Sequence, residues 1–208
     1  ISITKLKIII RFSIKYAEIN FWKGCDLMPI PKKNIFTAAD YWALPEGHRA
    51  ELIDGDLYDM APPSRMHQKI VMQLSYAISH YISENNGSCE VYPAPFAVNL
   101  NADDSTFVEP DISVICDKDK LSDRGCEGAP DWIIEVVSPS SQKMDYLTKL
   151  FKYRTAGVRE YWIVDPLQET TQVYFFEGTE DFHRYSFSDK IDAGIYGDLE
   201  ICISELLK

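Results

Sequence analysis

Two acidic residues stand where the surrounding sequence is apolar. Glu135 lies in the middle of PDWIIEVVSPSS, residues 130–141, and this run without alternation predicts a strand buried on both faces. Asp111 follows Pro110 at the start of the apolar run ISVIC. A buried charge without a partner costs several kcal/mol, so each carboxylate needs a proton, a cation or a metal ion.

The alternation of side chains along strands predicts how these two carboxylates meet. Asp111 shares a face of its strand with Ser113, and Glu135 shares a face of the next with Ile133. If the strands are neighbours, the two carboxylates repel each other unless a cation lies between them, and ligands made of oxygen alone favour Mg²⁺ or Mn²⁺. We therefore expect a divalent-metal site at Asp111 and Glu135, with the backbone carbonyl of Val136 as a third ligand.

Each of these residues also has a structural interpretation. Glu135 could form a buried ion pair with Arg159 or Lys149, and Asp111 could be a turn residue after proline. His67, in the first turn of a predicted helix, could face a cleft or remain solvated. The residues alone leave these alternatives open.

The order of the motifs resembles a known group of nucleases. Proline-aspartate, a later strand with an acidic residue and a nearby lysine are typical of the PD-(D/E)XK nucleases, although the position of their lysine is taken here by Val137. The segments ELIDGDLYDMAPPSRMH, PDISVI, APDWIIEVVSPSS and DYLTKLFKYRTAGVREYWIVDP resemble a large prokaryotic family of putative restriction endonucleases, a divergent branch of that group. The resemblance covers residues 36–208.

The resemblance implies a fold, an activity and a set of site residues. The fold is restriction-endonuclease-like, α+β or α/β, with a mixed central β-sheet flanked by helices. The activity is metal-dependent hydrolysis of phosphodiester bonds in DNA, with Mg²⁺ or Mn²⁺. The family's lysine lies on the helix after the acidic strand, where Lys149 stands, and a further acidic position matches Glu51, which would bind a second ion or position the first. The expected catalytic residues are Asp111, Glu135, Lys149 and Glu51.

Lys149 and Glu51 have competing interpretations. The apolar residues that mark the core side of this helix at 100° per residue are Met144, Leu147, Leu150 and Phe151. Lys149 lies away from the centre of that face, so it could be a solvated lysine, and Lys143 and Lys152 are alternative candidates. Glu51, at a predicted hairpin, could be an ordinary strand-edge residue.

The remaining sequence predicts the elements that must position this site. A short helix with Thr37 as its N-cap precedes a hairpin that turns at Asp54-Gly55, and a long helix spans about 64–86. Residues 117–129 are charged and predict a surface loop. A helix runs from Asp145, its expected N-cap, to Gly157. The expected strands are CEVYPAPFAVNL, PDISVIC, the segment around Glu135, EYWIVDP, TQVYFFEG and FHRYSF.

Charge divides the chain into two parts. The 208 residues carry a net charge of −11 and are 46% apolar, which predicts one globular domain, residues 28–208. Residues 1–27 hold five basic and two acidic side chains, a net +3, so the rest carries −14. Because an ordinary domain start follows Met28, we expect 1–27 to lie upstream of the true start or to be loosely attached. An amphipathic surface helix is the alternative.

Composition also narrows the location and the partners. The five cysteines lack a CxxC pair, which favours a reducing, cytoplasmic setting. No apolar stretch approaches the roughly 20 residues of a membrane span. The acidic balance argues against a protein that coats nucleic acid, but a carboxylate-rich enzyme can bind DNA through a local patch and its metal ion.

Two other functions compete with the nuclease hypothesis. A catalytically inactive module with the same fold could act in DNA or protein binding, and the missing motif lysine favours it. A hydrolase with Ser138 or Ser140 as nucleophile is a weaker alternative, because neither serine has the GxSxG setting of a nucleophile elbow. A homodimer would suit an enzyme that cuts two strands.

Overall fold

Two six-stranded β-sheets and four α-helices build the fold in the computed structural model, which describes residues 35–178 and 182–208. These residues belong to one compact unit. The predicted leader, residues 1–27, lies outside the described residues. The α+β class with a mixed sheet flanked by helices is confirmed.

The helices are α1 (Ala38–Trp42), α2 (Arg65–Glu84), α3 (Leu150–Ala156) and α4 (Ile203–Leu206), and a π-helical segment, Met144–Lys149, leads directly into α3. The strands are β1 (Ala50–Ile53), β2 (Asp56–Asp59), β3 (Glu90–Pro93), β4 (Val98–Asn99), β5 (Phe107–Val108), β6 (Ile112–Ile115), β7 (Leu121–Ser122), β8 (Gly125–Glu127), β9 (Trp132–Val136), β10 (Glu160–Asp165), β11 (Thr170–Phe175), β12 (Phe182–Ser186), β13 (Ile191–Asp192) and β14 (Glu200–Ile201).

The larger sheet, with strand order β12-β11-β10-β9-β6-β3, holds the strands predicted from apolar runs. Strands β9 and β10 are parallel, and the other neighbours in this sheet are antiparallel. The second sheet, β2-β1-β5-β4-β8-β7, was not predicted as a sheet. Its strands have four residues or fewer, too short for alternation to be recognised.

Apolar side chains form two main layers of core on either side of the larger sheet. One layer joins this sheet to α2 and includes Trp132 and Ile134 of β9. The other lies between the two sheets and includes Ile133, Val137 and Tyr153. Alternate residues of β9 thus face different layers, as expected for a strand buried on both sides.

The predicted helix ends and the hairpin turn are largely confirmed. Asp54 and Gly55 both adopt positive φ, 52° and 79°, as a two-residue hairpin turn requires. The Ser64 hydroxyl caps α2 by accepting a hydrogen bond from the backbone of His67. Gly157 ends α3 in the left-handed region at φ 93°.

Two local predictions are wrong. Residues 117–129 are not simply a surface loop, because they contain a 3₁₀ turn, Lys118–Lys120, and strands β7 and β8. Asp145 is not an N-cap, since the helix has already begun and the Asp145 backbone N–H donates to the Ser141 carbonyl. A side chain inside the helix is free to face the interior, and that of Asp145 does.

A disulfide joins Cys89 and Cys116 across β3 and β6, which the wide spacing of the cysteines did not predict. Cys126 and Cys202 are free and buried. Within residues 35–178 and 182–208, no helix is both long and apolar enough to cross a lipid bilayer.

Candidate active site

The register of β6 and β9 brings Asp111 and Glu135 together. Ile112 pairs with Ile134 in this antiparallel ladder, so one residue further Asp111 lies opposite Glu135. The Asp111 backbone N–H makes a long hydrogen bond of 3.4 Å to Glu135 Oε2. The structure therefore places these two acids beside each other on paired strands, as the strand pattern predicted.

The Asp111 carboxylate is held through one of its two oxygens. Oδ2 accepts a hydrogen bond from the Val136 backbone N–H at 2.8 Å and lies 3.1 Å from His67 Nε2. Val136 therefore contacts Asp111 through its N–H, and its side chain packs in the core beside α2. The role of its carbonyl as a metal ligand stays a prediction.

Lys149 connects the two sheets at this site. Its Nζ lies 2.9 Å from Glu135 Oε1 on the larger sheet and 2.9 Å from Glu51 Oε1 on the second sheet. All three side chains are buried, and Lys149 is 4% exposed. Glu51 Oε1 also accepts the backbone N–H of Glu109 at 2.9 Å. The structure thus brings Glu51, Asp111, Glu135 and Lys149 into one cluster.

The helix that carries Lys149 does not bury the face predicted from its apolar residues. Leu147 and Phe151 are 62% and 64% exposed, whereas Lys149 faces the interior. The buried side is the row that Lys149 forms with Asp145 and Tyr153 at intervals of four residues, roughly opposite Leu147 and Phe151. The apolar residues of this helix therefore do not mark its buried face.

Sequence reasoning missed two residues of the cluster, Asp145 and Tyr153. Asp145 is 1% exposed, and its Oδ1 lies 3.8 Å from Lys149 Nζ. The Tyr153 hydroxyl donates to Glu135 Oε1 at 2.6 Å. Asp145, Lys149 and Tyr153 are spaced four residues apart, and this spacing of polar side chains was the signal that could have found them.

Burial and charge act against each other in this cluster. Burial raises the pKa of the Glu135 carboxyl well above its ordinary value, and the nearby Lys149 ammonium offsets only part of that rise. Burial likewise raises the pKa of Asp145 to about 6. Burial disfavours the charged form of Lys149, but Glu135, Glu51 and Asp145 together hold its pKa well above the usual range. The lysine stays charged, and several carboxylates share its single positive charge.

A second polar network supports the backbone next to Glu51. Glu109 Oε2 accepts from Arg49 Nε at 2.9 Å, and its Oε1 accepts from the Tyr41 hydroxyl at 3.1 Å. These contacts fix the segment whose N–H binds Glu51. The network therefore acts on Glu51 through the backbone of Glu109.

The competing residues lie elsewhere. Arg159 pairs with Asp131 and Glu177 rather than with Glu135. Lys143 is exposed, and Lys152 pairs with Asp54. The structure thus selects Lys149 as the partner of Glu135.

The hydroxyls of the two alternative nucleophiles hydrogen-bond to each other. Ser138 Oγ lies 3.1 Å from Ser140 Oγ and donates to Ser141 Oγ at 3.0 Å. These contacts close the turn that follows β9.

The donor set fits a divalent cation. Within the described part of the chain, no three His, Cys, Asp or Glu side chains are arranged to enclose a metal ion. However, Mg²⁺ usually binds through one or two carboxylates and keeps several waters, so the pair Asp111 and Glu135 is sufficient. Three carboxylates, those of Glu51, Glu135 and Asp145, surround one ammonium, and Asp145 Oδ1 is buried without a hydrogen-bond partner. This surplus of oxygen donors and negative charge suits a hard cation.

Replacing Asp145 by asparagine should change how stability depends on pH. Between about pH 4 and pH 6, folded wild type keeps a proton on Asp145 that the unfolded chain releases, so its free energy of unfolding falls as pH rises. The Asp145→Asn variant has no carboxyl here and lacks this loss. We expect its free energy of unfolding, relative to that of wild type, to rise by up to about 3 kcal/mol between pH 4 and pH 8.

Urea unfolding at both pH values, without metal ions, measures this difference. Asp123→Asn, which removes an exposed carboxylate, is the matched control and should track wild type at both pH values. A difference between Asp145→Asn and wild type that stays constant with pH would contradict the raised pKa.

Comparison with known proteins agrees with this fold. A crystal structure of a putative nuclease belonging to DUF820 from Anabaena variabilis superposes with a TM-score of 0.67 at 19% identity, over 82% of this chain and 97% of that one, and so shares the fold. The uncharacterized protein slr1290 of Synechocystis sp. is 23% identical over 154 residues, which is 73% of this chain and 80% of that protein. The model of the Uma2 family, described as "Putative restriction endonuclease", matches residues 38–190. Because this match spans most of the chain, the protein belongs to the Uma2 family of putative restriction endonucleases.

Proposed function

We propose that this protein is an endodeoxyribonuclease that hydrolyses phosphodiester bonds with Mg²⁺ or Mn²⁺. The observation that carries the proposal is the placement of Asp111 opposite Glu135 on paired strands, with Lys149 Nζ 2.9 Å from Glu135. Membership in a family of restriction-endonuclease-like proteins supports the same reaction class.

Asp111 and Glu135 are the proposed metal ligands, with the backbone carbonyl of Val136 as the third. Asp111 Oδ2 accepts a hydrogen bond from the Val136 N–H and lies against His67 Nε2, which leaves Oδ1 for a cation. When bound, a divalent ion supplies an activated water and neutralises charge that develops on the scissile phosphate. The surplus of carboxylates described above supports this assignment.

Lys149 is the proposed group that contacts the phosphate or the attacking water. Its ammonium has three donors, and Glu51 and Glu135 each accept from it. A third proton remains for a phosphate oxygen or for the water, where a buried positive charge stabilises the transition state. Glu51 holds Lys149 in place and is itself held by the N–H of Glu109. We propose Glu51 for this positioning role rather than for a second ion.

DNA is the proposed substrate, and a homodimer that cuts both strands in the cytoplasm completes the proposal. The net charge of −11 argues for binding through a local surface and the metal ion rather than through an overall basic surface. The Cys89–Cys116 disulfide is the feature that opposes a reducing setting.

Plasmid cleavage tests the proposal. Wild type should nick or linearise supercoiled DNA in Mg²⁺ or Mn²⁺, and EDTA should stop the reaction. Asp111→Asn should slow cleavage on the order of 10³-fold, because it removes the charge of a proposed ligand at the reacting centre. Asp123→Asn, on the exposed surface, should cleave like wild type.

Cleavage in EDTA, or equal rates for wild type and Asp111→Asn, would overturn the proposed mechanism. A wild type that binds DNA without cutting it under any metal condition would instead support the inactive nuclease-fold module.

A further inference from the structure

His67 is buried, and its backbone is fixed by the cap of a helix. It lies in the first turn of α2 and is only 8% exposed. The Ser64 hydroxyl accepts its backbone N–H at 3.2 Å, so the helix cap fixes the backbone of His67 itself. Ile70, Val71 and Leu74 continue the buried face of the helix at helical spacing. The imidazole is therefore directed inward by the cap and by the packing of α2.

The single polar contact of this imidazole in the described residues is with Asp111. Nε2 lies 3.1 Å from Asp111 Oδ2, whereas Nδ1 is buried and has no hydrogen-bond partner. The distance is within reach of a hydrogen bond in which the imidazole Nε2–H donates to the carboxylate oxygen. His67 thus buries a polar ring at some cost, and its one polar neighbour in the described part of the chain is Asp111.

Two nitrogens from different elements lie against one oxygen of Asp111. His67 Nε2 comes from α2, and the Val136 N–H comes from β9 at 2.8 Å. A carboxylate with both nitrogens against Oδ2 cannot rotate freely. Among the hydrogen bonds of the described residues, none goes to Asp111 Oδ1, and the side chain is 15% exposed. The orientation therefore keeps Oδ1 available.

We propose that His67 is a positioning residue that holds the Asp111 carboxylate in the orientation that binds a divalent cation. The inference rests on the proposed function, because Asp111 is a ligand only if the protein binds metal. Hydrogen bonds from outer residues to ligating carboxylates commonly set metal affinity, and removing one costs about 10–100-fold. His67 acts on the cation through Asp111 and need not touch the substrate.

Three variants of the full chain test this role. His67→Phe keeps an aromatic ring but has no donor, whereas His67→Gln places an amide N–H at a similar reach. His80→Phe, on the exposed side of the same helix, is the matched control. Titration with Mn²⁺, followed by calorimetry, should show affinity about 10–100-fold weaker for His67→Phe, mostly recovered in His67→Gln, and unchanged in His80→Phe.

A second measurement does not need the metal. Hydrogen exchange of the Val136 amide, followed by NMR in EDTA, reports whether Asp111 still accepts this N–H. Exchange should be faster in His67→Phe than in wild type, and His67→Gln should restore it. Melting in EDTA checks that each variant folds. If His67→Phe does not fold, His67→Asn replaces it. The amide of asparagine is one bond closer to the backbone than that of glutamine and cannot reach Asp111.

The outcomes separate this inference from the proposed function. Equal Mn²⁺ affinity in wild type and His67→Phe overturns the role of His67 and leaves the nuclease proposal intact. Equal losses in His67→Phe and His67→Gln indicate packing rather than hydrogen bonding, and also overturn it. If wild type binds no Mn²⁺, the proposed function and the cation-positioning role fail together, and faster exchange at Val136 in His67→Phe then shows only that His67 orients Asp111.

Discussion

Replacing Lys149 by methionine is expected to unfold the protein more easily and to stop DNA cleavage. The substitution leaves Glu51, Glu135 and Asp145 buried around an apolar side chain that cannot offset their charge. Removing one partner from a buried ionic cluster costs about 3–5 kcal/mol, and we expect a loss of this size at pH 8. Cleavage should fall on the order of 10³-fold, because a buried positive charge at the reacting phosphate is lost.

Urea unfolding in EDTA measures the loss of stability in Lys149→Met, and this loss should be smaller near pH 5 than at pH 8. Burial raises the pKa of Asp145 to about 6, so near pH 5 this carboxyl of the folded protein carries a proton and no longer needs the ammonium, and burial raises the pKa of Glu135 in the same direction. Lys143→Met, an exposed lysine at the start of the same helix, should match wild type in both stability and cleavage. A Lys149→Met variant as stable as wild type at pH 8 would show that the cluster does not depend on this ammonium.

The pairing of Asp111 with Glu135 could be predicted because strands have a fixed side-chain period. Two apolar runs predicted two strands, and alternation set which residues of each share a face, so the acids could meet provided that the strands were neighbours, a condition that the structure fulfils. The structure confirms that Ile133 and Val137, on either side of Glu135, face the core between the two sheets.

Helix periodicity was applied to the wrong set of residues around Lys149. Asp145, Lys149 and Tyr153 follow one another at intervals of four and form the buried row, because carboxylates of both sheets hold the lysine inside. The apolar Leu147 and Phe151 lie on the opposite, exposed side. The family resemblance, rather than the periodicity, identified Lys149 as the partner of the acids.

The second sheet escaped prediction because its strands are short and its contacts are nonlocal. Strands β4 and β5 have two residues each, and β4 pairs with β8, more than twenty residues later in the chain. Such pairings leave no periodic pattern in the sequence. Glu51 therefore looked like an ordinary hairpin residue, and only the folded chain shows that the second sheet carries it to Lys149.

Glu135 and Lys149 form one ion pair, but the excess of negative charge in the cluster predicts that replacing each of them changes stability in opposite directions. Replacing Glu135 by glutamine removes a negative charge from a site that has too many, whereas Lys149→Met removes the ammonium that the carboxylates share. The amide oxygen of the new side chain can still accept from Tyr153 and Lys149, and Lys149 keeps Glu51. Because burial raises the pKa of Glu135, its ionised form is the costly one at pH 8. We therefore expect Glu135→Gln to fold with unchanged or higher stability.

Cleavage should nevertheless be lost in this variant. An amide is a poor ligand for a hard cation compared with a carboxylate, so Glu135→Gln should cut plasmid DNA on the order of 10³-fold more slowly in Mg²⁺ or Mn²⁺. Glu84→Gln, at the exposed end of α2, is the control and should retain full activity. Urea unfolding and cleavage are measured on the same preparations at pH 8. Stability that falls together with activity would mean that Glu135 serves the fold as a structural ion pair, whereas stability retained with activity lost would mean that the buried charge is kept for chemistry at the expense of the fold.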